Sequence, residues 1–170
     1  MRHIVFLYLL FSAPPYALHL FADSGDEPGA AVVMLASASH NKPDPSAIVE
    51  GFYNHKNTEY LWSDDPEKPS PLFSKYLAQQ YVSGLRKHGQ LLITFDPIVN
   101  GQDALITNLV VYPAIIDGNR AQVYVRFRNF DSDNAMVYSF VSESRVWKLD
   151  EIAAIGGETR WLLTDVLRNP

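Results

Sequence analysis

The chain has 170 residues, 47% of them hydrophobic and 19% charged, with a formal net charge of −5. That length suits one domain with a sizeable core, and that composition excludes a disordered chain. The acidic balance excludes a nucleic-acid surface, which needs a basic stripe to neutralise phosphates.

In chain order, the first feature is a basic start, Met1-Arg2-His3, followed by an apolar run from Ile4 to Phe11. Pro14-Pro15 interrupts the run, and a weaker apolar stretch continues to Ala22. This reads as a secretory signal peptide, too short and proline-broken to span a membrane as a helix. The alternatives are a membrane-tethered N-terminus and a buried N-terminal helix. Cleavage falls after Ala22 or after Ala38, so residues 1–38 are a leader and residues 39–170 a single domain. The mature chain is then soluble in the periplasm or secreted, with no transmembrane helix. The absence of cysteine removes disulfides, thiol catalysis, thiolate zinc sites and a cysteine-linked lipid anchor.

Asp44 and Pro45 open a first helix, in which Ile48, Val49, Phe52 and Tyr53 recur at helical spacing. A proline-rich loop follows. Ser70 and Pro71 are expected to start a longer helix with Leu72, Phe73, Tyr76, Leu77, Gln80, Tyr81 and Leu85 on one face, stopped by Gly89. The stretch "TFDPIVNGQD", residues 94–103, then breaks the pattern, and the period changes from helical to two. Four strands are expected: "ALITNLVVYPAII", "RAQVYVRFRNF", "AMVYSFVSE" and "SRVWKLDEIAAI". Turns are expected at "DGN", residues 117–119, and "DSDN", residues 131–134. In the second strand Val123, Val125 and Phe127 share one face, and Tyr124, Arg126 and Arg128 the other. Pro113 marks an edge or a bulge in the first strand, because it cannot donate to a ladder. "GGETRWLLTDVLRNP" closes the chain as a short helix containing Trp161. The fold class is α+β, with N-terminal helices packed on a bent four-stranded antiparallel sheet and a short C-terminal helix.

Metal-ligand, phosphate-loop and nucleophile-elbow motifs do not occur in the sequence. His55 and His88 stand singly near helix ends. Asp96 and Asp103 flank the 94–103 loop and are the carboxylates to weigh for acid–base work. Their structural role is stronger: Asp96 before Pro97 bonds local amides, and Asn100-Gly101 makes a tight turn. No catalytic residue, metal or cofactor is assigned. The candidate ligand-binding residues are Tyr53, Tyr76, Asp96, Asp103 and Tyr124.

Five segments occur together in order: "DPSAIVEGFYNHK", "FSKYLAQQYVSGL", "ITFDPIVNGQD", "VYVRF" and "VWKLDEI". From about Asp44 to Leu167 the chain resembles the bacterial DUF3828 family, related to the NTF2-like superfamily. The resemblance implies a cone-shaped helix-plus-sheet domain, usually periplasmic, with no established catalytic residues to carry over. The leading expectation is a non-catalytic periplasmic binding or interaction protein, of an immunity or envelope-associated type. Its partner is another protein, or a second copy through the sheet. The alternative is a small-molecule enzyme using the pocket, with Asp96 or Asp103 as acid or base.

Overall fold

The computed structural model describes residues 43–54, 61–62, 65, 67–90, 93–157 and 159–168. The expected leader, its two cleavage points and His55 lie outside them. The first helix, α1 (Pro45–Tyr53), starts where the sequence indicates. The Asp44 carboxylate accepts from the Ser46 amide at 3.0 Å, and Pro45 takes a position whose N–H would have no partner. Val49 and Phe52 are buried in the core, with Ile48 and Tyr53 packed partly against it.

The long helix, α2 (Lys75–His88), starts four residues later than Ser70-Pro71 suggests. The reason is tertiary. The backbone of residues 72–74 bonds a neighbouring strand: Leu149 N–H donates to Leu72 O, and Ser74 N–H donates to Leu149 O, both at 2.7 Å. Ser74 is therefore the cap, its hydroxyl accepting from the Leu77 amide at 3.0 Å. Gly89 ends the helix in the left-handed conformation, as its position predicts. Leu77, Tyr81 and Leu85 face the core, each worth about 1.5–3 kcal/mol of burial. Tyr76 departs from the expected stripe: it is 47% exposed, because the register set by Ser74 turns it outward.

Among the described residues the sheet has six strands rather than four. Pro113 divides the expected first strand into β1 (Ile106–Val111) and β2 (Ile115–Asp117), and both pair with β3 (Arg120–Asn129). β3, β4 (Ser132–Glu143) and β5 (Val146–Gly156) are consecutive antiparallel neighbours. Trp161-Leu162 is not helical. It forms a two-residue strand, β6, against Ala153-Ala154, and α3 (Leu163–Arg168) follows. The core lies between the helices and one face of the sheet. Val123, Val125, Phe127, Met136, Tyr138, Phe140, Leu149 and Ile152 meet Val49, Phe52, Leu77 and Tyr81 there.

The hairpin turns sit one or two residues away from the "DSDN" expectation and from the start of "SRVWKLDEIAAI". The β4–β5 turn is Ser144-Arg145, both at positive φ, the pattern of a type I′ turn. The β3–β4 turn is Phe130-Asp131, with Phe130 at φ +51°. Glycine is favoured there. A phenylalanine at such an angle costs about 1–2 kcal/mol, and its ring is 52% exposed.

Glu151 of β5 joins the sheet to α3. Its carboxylate accepts from the amides of Thr164 and Ile152, each at 3.1 Å, and from the Thr164 hydroxyl. Burial pushes its carboxyl above the ordinary value, and the Thr164 and Ile152 donors oppose that rise. The folded chain therefore holds this proton more tightly than the unfolded one. The resulting stability is fully present below the unfolded pKa and is lost as pH rises through the folded one. Thermal melts of the protein and its Glu151→Gln variant should show the difference moving in favour of the native glutamate as pH falls from neutral to about 5. A difference that moves the other way contradicts this.

Candidate functional site

Residues 95–103 form a closed corner between α2 and β1. Asp96 N–H donates to Gly101 O at 2.8 Å, and Gly101 N–H donates back to Asp96 O at 3.3 Å. Inside that ring the Asp96 carboxylate accepts from the Ile98 amide at 2.8 Å, the local turn bond that an Asp-Pro start favours. Asn100 sits at φ +51°, as an Asn-Gly turn permits.

Amide side chains fasten the corner to the sheet. Asn129, only 7% exposed, donates to Val99 O at 3.2 Å and Asp103 O at 2.9 Å, and accepts from the Leu105 amide at 2.8 Å. Asn100 donates to Asn134 Oδ1 and accepts from the Trp161 indole, both at 2.8 Å. The Trp161 ring also meets Phe95 edge-on, with centroids 5.1 Å apart. Below the corner, the Tyr53 hydroxyl donates to Ile98 O at 3.0 Å. Its one proton is then used, so Tyr138, 2.9 Å away, donates to the Tyr53 oxygen. Burial pushes both phenols above their ordinary value, so both stay protonated across the physiological range.

The five sequence-predicted residues do not converge. Tyr53 and Asp96 line one hollow of about 370 Å³, with Phe52, Ile98 and Ile106. Asp103 lines a second, polar hollow of the same volume, with Asn100, Gln102, Asn129, Phe130 and Asn134. Tyr124 lines a third on the opposite face of the sheet. Tyr76 points outward from α2. Asp96 and Asp103 thus open onto different hollows, and both are exposed.

The third hollow was not visible in the sequence as a site. Strand alternation sends Arg120, Gln122, Tyr124, Arg126 and Arg128 away from the core, as period two predicts. Around Tyr124, a depression of about 430 Å³ is lined by Tyr112, Pro113, Ile115, Arg126 and Ile155. Two smaller hollows adjoin it. One shares Ile115 and reaches Arg120; the other shares Tyr112 and Arg126 and reaches Arg128. Together they follow β3 over eight residue steps, about 27 Å. The ion pairs among the described residues are Asp65–Lys68 and Asp165–Arg168. None of the three arginines along the trough takes part, although Asp117 and Asp133 are the cross-strand partners of Arg120 and Arg128. The signal in the sequence was the alternation in "RAQVYVRFRNF"; Tyr112, Ile115 and Ile155 come from other strands and only the pairing brings them alongside.

No family model matches the chain, and no curated protein or solved structure matches it.

Proposed function

We propose that this is a non-catalytic binding module that receives an extended, acidic and apolar segment of a partner protein along the outer face of β3. The observation that carries the reading is the trough. It has an apolar, aromatic floor at Tyr112, Ile115, Tyr124 and Ile155, and a row of arginines that form no ion pair among the described residues. On a chain of net charge −5, the three arginines along this face outnumber the two carboxylates, Asp117 and Asp133, that line the same hollows, so the local balance is positive. Such a row favours an acidic partner and disfavours a second copy, which would bring arginines against arginines. The floor supplies burial, and the arginines supply orientation and charge-assisted bonds.

The chain's likeness to the DUF3828 family and its NTF2-like cone belong to this proposal, as does the compartment. A leader over residues 1–38 delivers a periplasmic or secreted protein, where an immunity-type or envelope-associated role uses such a surface. Osmotic-shock fractionation that leaves the full-length chain in the cytosol removes the compartment from the reading.

The direct test uses two labelled peptides, one alternating glutamate and isoleucine and one alternating lysine and isoleucine. Fluorescence anisotropy should show the acidic peptide binding and the basic one failing. The Arg126→Glu/Arg128→Glu variant should weaken the acidic peptide by roughly tenfold, at about 0.5–1 kcal/mol per exposed charge pair. Equal binding of both peptides overturns the proposal. So does a dimer in sedimentation that Tyr124→Asp dissociates, because a second copy is then the occupant.

A further inference from the structure

The polar hollow at the 95–103 corner has a composition unlike the trough. Its walls are Asn100, Gln102, Asp103, Asn129, Ser132, Asn134 and Thr159, with one aromatic ring, Phe130, beside them. Asn100 and Asn134 are bonded to each other, Asn134 also donates to Ser132 O, and Asn129 is bonded to the corner, so their positions are held. Gln102, Asp103, Ser132 and Thr159 are different: their side chains make no hydrogen bond among the described residues. They leave an amide, a carboxylate and two hydroxyls turned toward solvent around a rigid frame.

Phe130 is the second observation. It occupies a turn position suited to glycine, at φ +51°, and leaves half its surface exposed. Neither turn geometry nor core burial accounts for an aromatic side chain there. Strain held at an exposed position beside a polar hollow points to a ligand.

We infer that this hollow is a saccharide subsite, in which one neutral hexose ring lies on the face of Phe130. An aromatic face suits the C–H face of a pyranose, and a mixed set of amide, carboxylate and hydroxyl groups suits adjacent ring hydroxyls, each of which both donates and accepts. A hollow of about 370 Å³ falls in the range of small-molecule sites. The lining contains no lysine or arginine, and the Asp103 carboxylate repels a phosphate or sulfate. The lining is too polar for an acyl chain. The inference does not rest on the β3 trough.

The probes are cellobiose, with glucose 6-phosphate as the charged control, followed by amide chemical shifts in solution. Cellobiose should shift the signals of Gln102, Asp103, Phe130 and Thr159 with a dissociation constant on the order of 1 mM. Glucose 6-phosphate should bind at least fivefold more weakly. Phe130→Gly is the informative variant: it relieves the turn, so the protein should melt at the same or a higher temperature while cellobiose affinity falls at least tenfold. Phe130→Tyr should retain binding. The inference is overturned if cellobiose shifts none of these signals at tens of millimolar. It is also overturned if glucose 6-phosphate binds more tightly, or if Phe130→Gly binds cellobiose as well as the native chain does.

Discussion

Asn129→Ala should lower the free energy of unfolding by about 3 kcal/mol. Among the described residues, Asn129 is the one side chain that bonds the 95–103 corner, the start of β1 and the end of β3 together. Its carbonyl oxygen serves the Leu105 amide, and its two N–H groups serve the carbonyls of Val99 and Asp103. Alanine removes all three bonds at once. A single intramolecular hydrogen bond contributes about 1 kcal/mol, and a buried group left without a partner costs about 1–3 kcal/mol. Leu105 and Asp103 lie near solvent and recover part of that with water, which holds the total near 3 rather than above it. Asn129→Asp should be at least as damaging. It keeps an acceptor for Leu105 but sets a charge against two carbonyls that need donors. Urea unfolding of both variants measures the effect, and an alanine variant losing under about 1 kcal/mol shows that the corner is held by something else.

Gly84→Ala should destabilise the fold by about 1–3 kcal/mol, although alanine is the better helix former. In an exposed helix the exchange would add about 1 kcal/mol of stability. Gly84, however, faces α3. A Cβ there would stand 2.8 Å from the backbone oxygen of Leu167, a distance that no side-chain rotation can relieve. Helix α3 must move away, disturbing Leu163 and Leu167, which are both in the core. Overpacking of that kind costs about 1–3 kcal/mol and outweighs the propensity gain. A rise in melting temperature for Gly84→Ala would mean that the two helices separate freely.

The two residues also mark where sequence reading stops. Asn129 ends an alternating strand and Gly84 lies inside a helix, and neither is singled out by a local pattern. Their importance depends on what stands opposite, and no local pattern records that. The same holds for the start of α2. Ser70-Pro71 has the local marks of a helix start, yet Ser74 is the cap because β5 uses the backbone of residues 72–74. Tyr76 left the core stripe for the same reason. The candidate site followed this division. Tyr124, Arg126 and Arg128 were legible as one face, whereas Tyr112, Ile115 and Ile155 joined them only through strand pairing. The corner 95–103 was legible as a corner from its Asp-Pro and Asn-Gly pairs. That Asn100 meets Asn134 and Trp161 was not, because those residues lie 34 and 61 positions away.

By itself the sequence determined the α+β class, the cap and proline that open α1, the glycine that ends α2, and the two faces of β3. Each rests on an interaction within a few residues: a cap bond, a left-handed φ, or the alternation of a strand. Only the tertiary structure decided that Pro113 splits one expected strand into two, that Trp161 joins the sheet instead of a helix, and that the five candidate residues divide among separate places. Those outcomes depend on which strand lies beside which, and hydrogen-bond partners distant in sequence set that order.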